Sequence, residues 1–229
     1  MFCKRMALGS LIWAAYIVFF GATLYGGEQK KEGRITWNFE GVAPNQIPDG
    51  WEIEATNQKG ALATWQVIAD ISAPSGKNVL ALTDAKEGSG STFNLCWTDS
   101  ISFLNGEIDV SFKTNTGKED QGGGVIWRVR DKDNYYVARF NPLEDNLRLY
   151  YVKNGSRKML ASGSMKLASG EWHRLKIIQS GEAIEGYLDD RKLMEVKDKT
   201  LLERGGVGLW TKADAATSFD DFQVTPLAD

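Results

Sequence analysis

From residue 34 onward the chain is built of short runs of alternating, β-branched and aromatic residues, cut at short intervals by Gly, Asn, Asp, Ser or Pro. Runs such as "RITWNFEG", "ATWQVIAD", "STFNLCW", "GGVIWRVR" and "NLRLYYV" send successive side chains to opposite faces. Such a strand buries one face only, so the sheet it joins needs a second layer to cover that face. This spacing predicts an all-β fold, a two-sheet antiparallel sandwich or jelly roll. One segment, "DKTLLERG", reads as a helical turn. No linker, repeat or low-complexity stretch divides the chain, so one domain is expected over residues 35–226. Its 42% hydrophobic residues suffice for a sizeable core.

Three hairpins can be registered from their turns. "RVRDKDNYYV" turning at Lys132-Asp133 sets Arg130 opposite Tyr135, Arg128 opposite Val137 and Ile126 opposite Arg139. "ARFNPLEDNLRL" sets Arg139 opposite Arg148 and Val137 opposite Tyr150. "YVKNGSRK" carries Asn154-Gly155, the strongest short hairpin signal, and sets Val152 opposite Arg157. One face then collects Val125, Trp127, Val129, Tyr136, Ala138, Phe140, Leu147, Leu149 and Tyr151, which is core material. The other collects Arg128, Arg130, Tyr135, Arg139, Arg148, Tyr150 and Arg157. Guanidinium forks match carboxylates and vicinal hydroxyls, and tyrosine rings stack on sugars. Arg128, Arg130, Tyr135, Arg139, Arg148 and Tyr150 are therefore the candidate carbohydrate-binding residues, the alternative being a solvated sheet face. The Arg139–Arg148 pair costs energy unless an anion or carboxylate relieves it.

The amino terminus sets the compartment expected. Lys4 and Arg5 precede an apolar run from Met6 to Leu24, then a polar stretch. Residues 1–27 read as a cleaved secretory signal or an uncleaved membrane anchor, and either exports the domain to the periplasm or the extracellular space. Cys96 is then the lone exported thiol, so no intramolecular disulfide supports the fold. A formal charge of −3 supplies no basic excess for nucleic acid.

The hairpin block, followed by "SGEWHRLKIIQSG", "IEGYLDDRKLMEVKD" and "GGVGLWTKADAATSFDDFQV", resembles the laminin-G-like, concanavalin A-like jelly rolls of bacterial exported proteins. It is most similar to the 3-keto-disaccharide hydrolase domain, a former domain of unknown function, from about Trp37 to Val224. The resemblance implies sugar binding and, in some members, processing of 3-keto-glycosides; it names no catalytic residue here. It also implies that the first and last strands lie side by side. Glu40, Asp220 and Asp221 would then stand where such domains often hold a structural calcium ion, the alternative being acids that bind turn amides. No organic cofactor is expected.

Two apparent catalytic motifs weaken on inspection. Glu107-Ile108-Asp109 resembles the opening of the E-x-D-x-x-E strand of family 16 glycoside hydrolases, but Phe112 occupies the acid/base position. His173 alternates with Leu175 and Ile177 and reads as a packed histidine. The glycine-rich "GSGS" and "QGGGV" lack a P-loop lysine and a following helix. Three classes of function stay open: a non-catalytic carbohydrate-binding domain, a 3-keto-glycoside-processing hydrolase or lyase, and an adhesive or structural surface domain.

Overall fold

The computed structural model describes Met1, residues 33–86 and residues 90–227. The proposed signal or anchor, apart from Met1, lies outside the described residues. The strands are β1 (Ile35–Trp37), β2 (Glu52–Thr56), β3 (Thr64–Ala69), β4 (Asn78–Asp84), β5 (Phe93–Phe103), β6 (Gly106–Thr116), β7 (Gly123–Asp131) and β8 (Asn134–Asn141). They continue as β9 (Asn146–Lys153), β10 (Ser156–Ser164), β11 (Trp172–Ser180), β12 (Ala183–Leu188), β13 (Arg191–Lys197), β14 (Gly205–Lys212) and β15 (Ala216–Pro226). No α-helix occurs among the described residues. The expected turn at "DKTLLERG" is irregular instead, because the Asp198 carboxylate accepts the Thr200 N–H (2.8 Å) and the Tyr136 hydroxyl accepts that of Leu201 (3.1 Å). Such side-chain bonds compete with helical ones.

The strands form two antiparallel sheets. One runs β13-β12-β11-β6-β15-β4-β3, with β1 added beside β15; the other runs β10-β9-β8-β7-β14-β5-β2. Inward residues of both sheets make the main core, Ile108, Val110 and Phe112 of β6 meeting Trp127, Tyr136 and Phe140 of the facing sheet. One end is closed by an aromatic group in which Trp37 and Trp51 each lie within 6 Å of Phe222, at 5.5 and 5.8 Å. Side chains of this size each contribute about 2–3 kcal/mol when fully buried, so this layer dominates stability.

The second sheet also carries a core on its other face: Phe93, Leu95, Ile126, Val129, Tyr135, Val137, Tyr150, Val152 and Trp210 form a separate buried cluster. The sheet achieves this by curling on itself. Neighbouring strands lie about 4.8 Å apart, so β8 and β2, four places apart, would be separated by roughly 19 Å in a flat sheet. Yet the Tyr135 and Thr56 hydroxyls stand 2.8 Å apart. The Asn154-Gly155 turn reaches the same corner: Gly155 adopts φ 75°, and its carbonyl accepts the Asn57 amide at 3.0 Å. Diagonally opposite corners thus fold toward each other over the concave face.

Two of the three hairpin registers agree with the sequence reading: Arg139 faces Arg148, Val137 faces Tyr150, and Val152 faces Arg157. The β7–β8 hairpin differs. Ile126 pairs with Val137 and Trp127 with Tyr136, after which a bulge runs to the Asp131–Asn134 pair. The bulge sets three residues, 128 to 130, against Tyr135 alone, and Arg128 takes a left-handed φ of 49°. It exchanges two faces. Val129, expected in the main core, joins the second cluster, and Arg128 leaves the face on which it was placed.

Candidate functional site

The closed corner divides the expected Arg/Tyr face. Tyr135 is fully buried inside the second core, and burial drives its phenol above the ordinary tyrosine range. Arg128 is 1% exposed and caps three carbonyls, those of Leu104 (2.9 Å), Leu201 (2.6 Å) and Gly181 (3.1 Å). Its guanidinium lies over the ring of the core residue Tyr136. Arg130 is exposed, paired with Glu203, and lines a small hollow with Trp97 and Arg204. These three residues are therefore not brought to a common ligand surface. The bulge explains both arginines, and the curl explains Tyr135.

Arg139, Arg148 and Tyr150 do come together, and Arg157 joins them. Tyr150 lies between two guanidiniums, with Arg157 4.4 Å from its ring centroid and Arg139 5.9 Å away. Arg139, 2% exposed, donates to Asn146 Oδ1 (2.7 Å), Glu144 (2.6 Å) and the Tyr150 hydroxyl (3.2 Å). Glu144, from the β8–β9 turn, also takes Arg148 at 3.0 Å. The carboxylate relieving the Arg139–Arg148 repulsion is thus the protein's own. Burial raises the Glu144 pKa, but the Arg139 hydrogen bond and the charges of both arginines outweigh it and hold the carboxyl below its usual range.

The rim is completed from further along the chain. Asp120 is buried, accepts the Asn141 amide (3.0 Å) and Gly122 N–H (3.1 Å), and faces Lys212 at 3.4 Å. Its loop is pinned by Asp214, which accepts the N–H groups of Lys118 (2.7 Å), Glu119 (3.0 Å) and Asp120 (3.0 Å). Trp210 stands in register with Gly124, which in turn faces Arg139. A Cβ at Gly124 would meet the Ala138 carbonyl oxygen at 1.9 Å, so only glycine permits this floor. Asp120, Glu144, Lys212, Phe93 and Trp210 were not singled out from the sequence. Of these, Glu144 alone had a signal, since it sits in the turn joining the two facing arginines.

Three donors in this cluster have no acceptor: Arg139 Nε, Arg148 Nε and Arg157 Nη1. A buried donor left unpaired costs about 1–3 kcal/mol, and such exceptions call for a reason. A larger depression of about 800 Å³ lies behind the 117–122 loop, lined by Lys86, Asp84, Glu119 and Asp214 among others. Its charged groups are better satisfied, since Lys86 pairs with Asp84 and Asp214 holds three amides. The donor cluster is therefore the stronger candidate.

The other expected sites lie elsewhere. Glu40 accepts the N–H groups of Lys77 (2.8 Å) and Asn78 (2.6 Å), while Asp220 accepts that of Ser75 (2.8 Å). Both acids clamp one turn, and the Asp221 N–H donates to Asp220 at 2.7 Å. Donors directed at these oxygens fit the turn-amide alternative better than a cation, and no group of three or more His, Cys, Asp or Glu is arranged for a metal among the described residues. On β6, Asp109 is held by both arms of Arg174 (2.6 and 2.7 Å), while Phe112 is buried between the sheets. That strand belongs to the sheet opposite the donor cluster. His173 packs on Phe112 at 6.2 Å and meets Asp189 at 2.8 Å.

Known proteins share this architecture. The carbohydrate binding module CBM66 of Bacillus subtilis superposes with a TM-score of 0.57 at 21% identity, over 76% of this chain and 95% of that one. A Bacillus licheniformis β-glucanase gives 0.56 at 12% identity over 84% and 98%. A Bacillus subtilis protein of unknown function with a galectin-like fold gives 0.56 at 12% over 87% and 99%. The fold is the concanavalin A-like jelly roll. In sequence, residues 123–227 match the family model for the galactocerebrosidase C-terminal lectin domain. That span carries Arg139, Arg148, Tyr150, Arg157, Trp210 and Lys212. Levanase of Bacillus subtilis (strain 168) is 26% identical over 118 residues, which cover 50% of this chain and 16% of levanase.

Proposed function

We propose that this chain is an exported carbohydrate-binding domain whose ligand site is the donor cluster around Tyr150. The observation that carries the reading is the set of unpaired guanidinium donors at Arg139, Arg148 and Arg157. Sugar hydroxyls and ring oxygens are acceptors, and the rings of Tyr150, Phe93 and Trp210 add apolar surface. The lectin-domain match over these residues and the levanase match support it. Binding is favoured over catalysis because Glu144, ionised by its arginines, has no proton to give near neutral pH. Export rests on the basic-then-apolar start.

Titration calorimetry across a glycan panel that includes levan, galactosides and oxidised disaccharides tests the site. Arg148→Ala is the cleanest variant, since Arg148 is a third exposed. It should weaken binding of the best ligand by about 1–3 kcal/mol with little change in melting temperature. Unchanged affinity would move the site elsewhere. Intact mass of the mature protein, short of its first 20-odd residues, would show signal cleavage.

A further inference from the structure

We propose that the glycan bound here carries a carboxylate, and that this carboxylate pairs with Arg157. The inference rests on the carbohydrate reading above and narrows its ligand class. Four cations, Arg139, Arg148, Arg157 and Lys212, surround the site against two acids, Glu144 and Asp120. Glu144 is shared by Arg139 and Arg148, and Asp120 is nearest to Lys212. Among the described residues no carboxylate lies within ion-pair distance of Arg157. Its guanidinium is packed instead on three aromatic rings, those of Tyr150 (4.4 Å), Phe93 (4.8 Å) and Trp210 (5.9 Å).

Ring faces answer the charge of a guanidinium but not its in-plane N–H groups. Arg157 Nη1 accordingly has no acceptor. Burial lowers the pKa of this arginine, the sign of a charge whose lost hydration is incompletely replaced. Stacking also fixes the plane, so the fork is oriented before a ligand arrives. A planar fork of parallel donors fits a carboxylate at both oxygens, whereas a hydroxyl answers one donor. A uronic or aldonic acid unit supplies that group on a sugar ring or chain.

The test is an array of matched glycans, each presented with its carboxyl intact and with that carboxyl reduced to hydroxymethyl, followed by calorimetry on the best pair. The acidic member should bind at least about tenfold tighter, and the preference should shrink as salt is raised. In Arg157→Gln the two members should bind alike, near the wild-type affinity for the reduced one. If that variant does not fold, Arg157→Lys keeps the charge without the fork, and the preference should fall severalfold. Equal binding of both members by the wild-type protein, or binding of neutral glycans alone, overturns the carboxylate while leaving the carbohydrate reading intact. So does a preference that survives Arg157→Gln. Binding of no glycan at all would overturn the carbohydrate reading and this inference with it.

Discussion

Arg139 and Arg148 face each other across β8 and β9, and Glu144 turns that like-charge pair into a three-membered ionic cluster. Removing Arg139 therefore does not relieve a repulsion. Arg139→Ala should cost about 2–4 kcal/mol, because Asn146 and Glu144 lose a buried partner. Urea denaturation of the two alanine variants should rank Arg139 far above Arg148. Glu144 is 41% exposed, so its removal is screened: Glu144→Gln should cost roughly 1 kcal/mol at neutral pH. Its folded pKa lies below the unfolded one, so this stability is present above the ordinary Glu value of about 4.3 and is lost on acidification. Melting curves of wild type and Glu144→Gln should differ at pH 7 and converge below that value. A gap that persists in acid would mean that charge is not the cause.

Among the elements, the bulge in β7 decides most. Tight turns with Asn-Gly or Pro fix the registers of β8–β9 and β9–β10, which is why those pairings were legible in the sequence. Nothing in "VIWRVRDKDN" announces that two residues are surplus to the ladder, and a strict period of two misplaced Arg128 and Val129. The bulge earns its place through Arg128, whose fork ties three chain segments together. Arg128→Ala should cost about 3 kcal/mol by leaving the carbonyls of Leu104, Gly181 and Leu201 short of a donor, and Arg128→Lys should recover little. Glycan affinity of the folded fraction should not change. In β6, by contrast, Glu107→Gln should leave affinity within about twofold, since a lost charged contact at the site would cost 1.4 kcal/mol or more per tenfold. A folded Glu107→Gln variant that no longer binds would return the site to that strand.

At the scale of the molecule, alternation and turn spacing made the two-sheet sandwich readable, but they said nothing of how far a sheet would curl. The curl buries Tyr135 and brings Phe93 from β5 against Arg157 from β10, five places apart and thus roughly 24 Å in a flat sheet. Residues met only in this way, Phe93, Trp210, Asp120 and Lys212 among them, leave no local trace. We expect residues 35–226 to unfold in one transition, because the main core runs through both sheets. Calcium at Glu40 and Asp220 would raise that transition by mass action. Carboxylates already filled by turn amides predict superimposable calorimetric scans with calcium and with chelator.

Cys96 lies on β5, fully buried with its side chain in the main core, and burial pushes its thiol far above the ordinary range. In a fragment that begins after the apolar run it is the sole sulfhydryl. A thiol reagent can then act only when the sandwich opens, so the modification rate is a clock for excursions out of the native state. Saturating glycan should slow that clock by the factor 1 + [L]/Kd. Ligand affinity on one face of the sheet would thereby be read from the chemistry of a sulfur on the other.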